Sequence, residues 1–456
     1  MEVTLEQMLA AREARVQMQD ELRKRYGAPV ISFTMNIPGP IKYTPLIRRA
    51  FFVGHDALRS ALSGAKLPVL WSGVQEAATG CEALFAVGGE ALAVKRVCTD
   101  IEDANALGRL FDMDVLAPDG AKLDREAVGG GARNCIVCGA AGRGCASRRT
   151  HTVEELQAAA RRIMEAHFAA ADRDAAAKLV TRALLDEVYT TPKPGLVDRG
   201  NNGSHTDMTV ETFERSAAAL EPYWARCVSI GQATADEPPE ATFAQLRAAG
   251  LDAERAMFAA TGGVNTHKGA IFTLGVVCGA IGRLWTAEAP CRDTDVILQS
   301  CAAMTSAAME ADFAAITRET ARTAGARLYL EHGLRGIRGE VADGLPGVRN
   351  VALPVLRRAL DAGCSRNDAG VYALLALVAR GTDSNMIARG GKDAADAASR
   401  EAAALTAGGR FPPIPEVERL DRSFISRNLS PGGCADLLAA AYFLLDCTEA
   451  AAVDKP

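Results

Sequence analysis

The sharpest chemical feature of the sequence is Phe111-Asp112-Met113-Asp114, inside a stretch from Arg109 to Leu116 that alternates apolar and polar residues. In a strand, residues two apart share a face. Asp112 and Asp114 then project together, while Phe111, Met113 and Val115 point to a core. Two neighbouring carboxylates repel unless a cation neutralises them. Mg²⁺, a hard ion that prefers oxygen ligands, suits such a pair and can bridge to a triphosphate or pyrophosphate. The plain alternative is a solvated strand face with two incidental acids.

Two other groups lie in the same part of the chain. Asn36 to Phe51 opens with Pro and Gly and carries Lys42, Arg48 and Arg49. These could clamp phosphates, or simply line a loop and an exposed helix start. Cys135, Cys138, Cys145 and His151 sit in a Gly-rich stretch. Cys₃His suits structural Zn²⁺; the alternative is a set of loop thiols.

Four polar loops mark the rest of the chain. Thr190 to Asp207 holds Lys193, Asp198, Arg199, Asn201, Asn202, His205 and Asp207 behind Pro192 and Pro194. Ala260 to Gly269 holds Gly262, Gly263, Asn265, Thr266, His267 and Lys268. Its glycines allow close backbone approach, and free amides at the next helix start could hold phosphate. Asp383 to Gly391 holds Asp383 and Arg389, and Ser430 to Asp436 is a further Gly-rich helix start. Each loop alone reads as helix capping. Together they concentrate His, Lys, Arg and Asp in segments of the kind that carry function.

The elements that must position these groups divide the chain. Residues 1–172 read as an α/β domain with a mixed sheet. A charged helix runs from Leu5 to Arg25 and a strand from Pro29 to Asn36. Two short strands are expected over Leu84 to Val97, turning at Gly88-Gly89. Asp119-Gly120 is a hairpin turn before Ala121 to Arg125. Thr152 and Glu155 form a capping box, so a helix starts at Val153 and runs to about Ala170. Residues 173–456 read as all-α, with helices over Asp174 to Tyr189, Thr209 to Ile230, Leu251 to Phe258, Asp295 to Ile316, Asp368 to Arg380 and Cys434 to Asp446. The boundary falls in Ala166 to Ala177. His167 and His332 read as surface residues; Leu374, Leu375, Leu377, Leu437, Leu438 and Leu444 read as core.

Composition excludes several classes. At 48% hydrophobic and 23% charged, the chain is too apolar for disorder and too charged for a membrane bundle. The first 175 residues carry as many acidic as basic side chains, so the net charge of −5 resides in the rest. No basic block exists to bind duplex nucleic acid. The longest uncharged core-like run, Gly269 to Gly282, is short of the ~20 residues a membrane span needs. With no apolar signal region after Met1, a cytoplasmic protein with reduced thiols is expected.

Asn36 to Phe51, Leu110 to Val115 and the Cys-rich stretch into His151 resemble the citrate lyase holo-acyl-carrier-protein synthase family (apo-citrate lyase phosphoribosyl-dephospho-CoA transferase), over roughly residues 5–170. Pro192 to Asp207, Thr261 to Gly269, Glu340 within Gly339 to Asp343, Asp383 to Gly391 and Ser430 to Asp436 resemble the triphosphoribosyl-dephospho-CoA synthase family, over roughly 178–450. The resemblance implies a fusion of two consecutive enzymes: a nucleotidyltransferase-like α/β domain and an all-helical domain. The second domain would make 2′-(5″-triphosphoribosyl)-3′-dephospho-CoA from ATP and 3′-dephospho-CoA, releasing adenine. The first would pass the phosphoribosyl-dephospho-CoA group to a serine of the citrate lyase acyl carrier protein (γ subunit), releasing pyrophosphate.

Under that implication, Asp198 or Asp207 supplies a carboxylate to an oxocarbenium-like transition state. His205 or His267 handles protons, with Asp383 a further catalytic candidate. Lys193, Lys268 and Arg389 bind phosphates, helped by Asn202, Gly262, Gly263, Asn265 and Thr266. Asp112 and Asp114 hold Mg²⁺, and Arg48 or Arg49 faces the leaving pyrophosphate. The alternatives are the same chemistry serving malonate decarboxylase, a zinc-stapled scaffold that only binds nucleotide, and a nucleoside hydrolase-like enzyme.

Overall fold

A computed structural model describes residues 2–140, 145, 148–381 and 383–453, with side chains to 447. The Gly-rich run expected to be irregular, 129–145, falls partly outside the described residues. The chain divides into two compact units: Met1–Ala170 with Thr286–Ala289, and Ala171–Trp285 with Pro290–Pro456.

In the first unit, α1 (Leu5–Tyr26) starts at Thr4, which shares a capping box with Gln7. It is followed by β1 (Val30–Met35), α2 (Pro45–Gly64), β2 (Val69–Ala77), β3 (Gly80–Val87), α3 (Ala91–Asp103), β4 (Phe111–Leu116) and β5 (Lys122–Leu123). The sheet order is β2-β3-β1-β4-β5. Every neighbouring pair is antiparallel, so the expected mixed sheet is corrected to an antiparallel one. The expected strand pair over Leu84 to Val97 is also corrected. β3 ends at Val87 and α3 follows, because Val94, Lys95, Cys98, Thr99 and Glu102 bury one face at helical spacing.

One face of the sheet is aromatic. Phe33 stacks on Phe51 of α2 at 4.7 Å and meets Phe111 edge-on at 5.5 Å. Gly54 lets α2 approach: a Cβ there would lie 2.6 Å from the Phe33 ring. The other face, carrying Ser32, Thr34, Glu82, Asp112 and Asp114, is partly covered by α1 through Arg15–Glu82 and Leu22.

Helix α4 (Val153–Tyr189) is one element of 37 residues, not two, and the unit boundary falls within it. Its capping box forms as expected, with Thr152 N donating to Glu155 at 2.9 Å and Glu155 N to Thr152 at 3.2 Å.

The second unit is helical among the described residues: α5 (Val210–Ala233), α6 (Pro239–Thr261), α7 (Lys268–Arg283), α8 (Thr294–Ala314), α9 (Ala324–His332), α10 (Gly336–Ala342), α11 (Leu353–Asp361), α12 (Arg366–Ala379), α13 (Ser384–Gly390), α14 (Lys392–Leu405), α15 (Ile414–Ser426) and α16 (Gly432–Val453). Its centre is α7, buried on almost every face. The six leucines expected in the core are buried there. His332 is exposed, whereas His167 is half-buried beside the Phe168 ring. No helix among the described residues is long and apolar enough to cross a membrane.

Candidate active sites

In the first unit, β4 alternates as its sequence requires: Phe111, Met113 and Val115 are buried while Asp112 and Asp114 face out. Thr34 stands opposite Asp112 and Ser32 opposite Asp114 on β1. Lys122 of β5 reaches Asp114 at 2.7 Å. Crowding by surrounding atoms, then the Asp114 charge, raises the Asp112 pKa above the ordinary carboxyl value. The donor set is all oxygen and fits a hard divalent ion.

The backbone between the two acids is held by side chains. β5 pairs with β4 only at Val115 and Leu116. At Met113 helix α3 takes over: the Met113 N–H donates to Glu102 at 2.8 Å, and Lys95 Nζ donates to the Met113 carbonyl at 3.0 Å. Both charged residues are buried, and Glu102 is also paired with Arg133. This clamp gave no motif in the sequence, because Lys95 lies in a segment that reads as strand and no spacing pattern links it to Glu102.

A cavity of about 930 Å³ lies beside this clamp, lined by Arg109, Arg125, Arg133, Arg149, Asn36 and His151 among others. Burial, then the charges of Arg133 and Arg125, depresses the Arg109 pKa. Guanidinium groups gathered in this way fit a multiply charged anion. Arg48 and Arg49 do not line this cavity. Arg48 is bound to Glu76 at 2.7 Å and lies over Phe52; Arg49 lies 3.9 Å from the centre of the Phe168 ring and donates to the Ala287 carbonyl. Cys135, Cys145 and His151 form part of the cavity wall, and with Cys138 their ligand atoms lie within 4.8 Å of one another.

In the second unit, the first three polar loops all touch the segment Asn428–Asp436, which contains the fourth. From the first loop, His205 Nε2 meets Ser430 Oγ at 2.9 Å, and Ser204 Oγ donates to the Leu429 carbonyl at 2.7 Å. From the third, Asp383 Oδ2 accepts from Cys434 N at 2.8 Å, and Arg389 donates to Asn428 Oδ1 at 2.7 Å. From the second, Gly269 lies so close to Asp436 that a Cβ there would meet Oδ2 at 1.9 Å. Asp436 accepts from the Ala270 N–H at the start of α7. Ala has the better helix propensity by ~1 kcal/mol, yet Gly269→Ala is expected to lower the melting temperature, because α7 or the carboxylate must shift.

The individual residues take different places. Asp198 is buried and accepts from the N–H groups of Lys193, Gly200 and Asn201 at 2.7–2.9 Å, which folds the first loop. Lys193 is buried, its ammonium 2.5 Å from buried Glu187. Asp207 is exposed, 3.9 Å from His205 Nδ1. Asn202 is exposed. Asp383 caps α13 through Asn385 N and Met386 N. Gly262 ends α6 at φ 68°, and neither Gly262 nor Gly263 has an atom within 4 Å of a built Cβ, so ligand backbone or phosphate has room to approach. Asn265 accepts from the Lys268 N–H, Lys268 pairs with Glu254 at 2.8 Å, and Thr266 donates to Ser216.

His267 is buried with Nδ1 2.7 Å from Ser216 Oγ, and Nε2 has no partner. Burial, then the Lys193 charge, pulls its pKa down to about 3. It is therefore neutral near pH 7, where a titrating imidazole was expected. His205 is also lowered, by burial and then Arg389, against the opposing charge of Asp207.

The sequence reading named Asp383 as a catalytic candidate but missed two further carboxylates, Glu187 and Asp436, as functional residues. Glu187 and Asp383 are raised mainly by burial, and Asp436 is raised well above the usual range by burial and then by the charges of Glu187 and Asp383. Lys193 is the counter-ion beside this group. Lys193→Met is expected to cost about 3–5 kcal/mol of stability, because it leaves Glu187 buried and uncompensated; urea unfolding measures it.

Comparison with known proteins gives the frame for both sites. Residues 3–167 match the family described as CitX, apo-citrate lyase phosphoribosyl-dephospho-CoA transferase, and residues 173–454 match CitG, ATP:dephospho-CoA triphosphoribosyl transferase. The chain is similar to Protein CitXG of Haemophilus influenzae, 32% identical over 452 residues, covering 97% of this chain and 96% of that protein. It is equally similar to Protein CitXG of Leuconostoc mesenteroides subsp. cremoris, 32% identical over 457 residues and 97% of each chain. A Vibrio cholerae protein named Probable 2-(5''-triphosphoribosyl)-3'-dephosphocoenzyme-A synthase is 41% identical over 284 residues, 59% of this chain and 87% of that protein. With both family matches in tandem and near full-length relatives of the same arrangement, the chain belongs to the CitXG family of bifunctional transferases, which serve the biosynthesis of the citrate lyase prosthetic group.

Proposed function

We propose that the two sites described above carry the two reactions in succession. In the helical unit, the 2′-hydroxyl of 3′-dephospho-CoA attacks C1′ of the ATP ribose. The C1′–N bond to adenine breaks, adenine takes up a proton, and the hydroxyl proton passes to a base. What supports this site is the meeting of four polar loops at Asn428–Asp436 around Glu187, Asp383 and Asp436. A buried carboxyl that favours its protonated form is suited to protonate a leaving base, so Asp436 takes that role. The hydrogen-bonded pair of His205 and Ser430 receives the hydroxyl proton, His205 being held in its neutral form. Asp198 and Asp383 hold the loops, and neutral His267 orients Ser216. The open backbone at Gly262 and Gly263, with Lys268 and Arg389, receives the triphosphate.

In the first unit, a carrier-protein serine attacks the α-phosphorus of the triphosphoribosyl group. The serine O–P bond forms, and the bond to pyrophosphate breaks. Asp112 and Asp114 would hold Mg²⁺, which supplies charge neutralisation on the phosphates when bound. Arg109, Arg125, Arg133 and Arg149 take the pyrophosphate-facing role first given to Arg48 and Arg49. Two acids alternating on one strand, beside a phosphate-binding wall, support a nucleotidyltransferase-like reading of this fold. The acceptor is the citrate lyase acyl carrier protein, in a reducing cytoplasmic setting.

The deciding experiment is mass spectrometry of products from ATP and dephospho-CoA, before and after adding apo-carrier protein. The triphosphoribosyl adduct should form first and its phosphoribosyl part should then move to serine. Release of adenine with no adduct would overturn the reading. Arg109→Ala with Arg149→Ala is expected to weaken binding of inorganic triphosphate at least ~10-fold, measured by calorimetry at fixed salt.

A further inference from the structure

Cys135, Cys138, Cys145 and His151 place one ligand atom each within 4.8 Å of the others. The Sγ atoms of Cys138 and Cys145 are 3.5 Å apart, and all three cysteines are free thiols. The first pair is shaped as a metal knuckle. Cys135 N donates to the Ala140 carbonyl at 2.7 Å, Gly139 N returns to the Cys135 carbonyl at 3.0 Å, and Gly139 turns the chain at φ 73°. Val137 N–H points at Cys135 Sγ from 3.5 Å, a contact that supports a thiolate.

The histidine supplies an independent observation. Nδ1 of His151 faces Glu155 at 3.7 Å, while Nε2 is buried and has no hydrogen-bond partner. A buried ring nitrogen left without a partner costs free energy, and an imidazole backed by a carboxylate is the usual form of a zinc-ligating histidine. Glu155 is itself anchored at the start of α4 through the Thr152 N–H.

We propose that these four residues bind one structural Zn²⁺, with His151 as the Nε2 ligand and Glu155 as its orienting carboxylate. Four protein ligands close a tetrahedral shell and leave no position for substrate, so the ion staples rather than catalyses. The stapled segment continues into the cavity wall. Asn134, beside Cys135, accepts from Arg109 through its carbonyl, and Arg133 donates to the Phe111 carbonyl at 2.8 Å at the start of β4. The ion would thereby hold two cavity arginines against the strand that carries Asp112 and Asp114.

Metal content of the full-length protein tests this without any substrate, so its outcome is separate from that of the proposed reactions. About one zinc per chain is expected by elemental analysis, falling at least fivefold in Cys138→Ser and in His151→Ala. His151→Cys, which keeps four donors, should retain zinc, which separates ligand loss from misfolding. Co²⁺ exchanged into the site should show the intense visible absorption of tetrahedral thiolate coordination. Pyrophosphate release on addition of carrier protein should fall at least 10-fold in Cys138→Ser, with adenine release within twofold of wild type. Protein that is free of zinc after growth and refolding with Zn²⁺, or a Cys138→Ser variant that keeps the full zinc content, would overturn the proposal.

Discussion

Asp112→Asn is expected to lower pyrophosphate release by at least ~100-fold, the scale of losing one preorganised electrostatic group at a phosphoryl centre. Adenine release from ATP and dephospho-CoA should stay within twofold, because no residue of the helical site is altered. Asn matches Asp in size and leaves β4 intact: Phe111 and Met113 keep the core, and Glu102 and Lys95 still hold the Met113 backbone. The variant also removes one of two like charges on the strand, so its melting temperature should match or exceed wild type in the absence of metal. Two separate assays, for pyrophosphate with carrier protein and for adenine without it, read the result. Loss of both activities would refute independent sites.

Asp436→Asn should give the reverse pattern, with adenine release down by ~100-fold or more, the usual contribution of a general acid. Pyrophosphate release from chemically supplied triphosphoribosyl-dephospho-CoA should be retained. The same variant should be more stable than wild type at pH 8. An acid whose pKa rises on folding holds a proton that the unfolded chain has already released. Its contribution to stability therefore falls as pH climbs from its unfolded value near 4 through the folded value. Asn has no proton to lose, so the advantage of the variant should shrink toward pH 4 and be largest above neutrality. Thermal melts at pH 4, 6 and 8 check the sign. A variant that is inactive but less stable at pH 8 would point to a packing role for Asp436 instead.

Some of this was legible in the residues alone because the signals are local. Strand alternation put Asp112 and Asp114 on one face, and a three-residue spacing gave the Thr152–Glu155 cap. The position of the cysteines and of His151 in the chain was enough to nominate them as a group, and the polar content of the four loops nominated the segments that meet in the helical unit. Strand β2 went unread because it is an edge strand, largely exposed and bulged near Leu70, so no apolar alternation was imposed on it. Helix α4 looked like two helices because an Ala-rich stretch continues a helix without leaving a boundary signal.

What the amino-acid order determined was therefore which local backbone each segment adopts and which side chains it turns to one side, since both follow from spacing along the chain. What only folding decided was the company those side chains keep. Arg109, Arg125, Arg133 and Arg149 share one cavity, and Asp436 sits against Gly269, although more than 160 residues separate the latter two. Burial then changed the chemistry of groups that look ordinary in sequence: Lys193 became the counter-ion of Glu187, and His267 lost its titration near neutral pH. Desolvation and the field of nearby charges depend on distances through space, and no pattern of neighbours along the chain contains them.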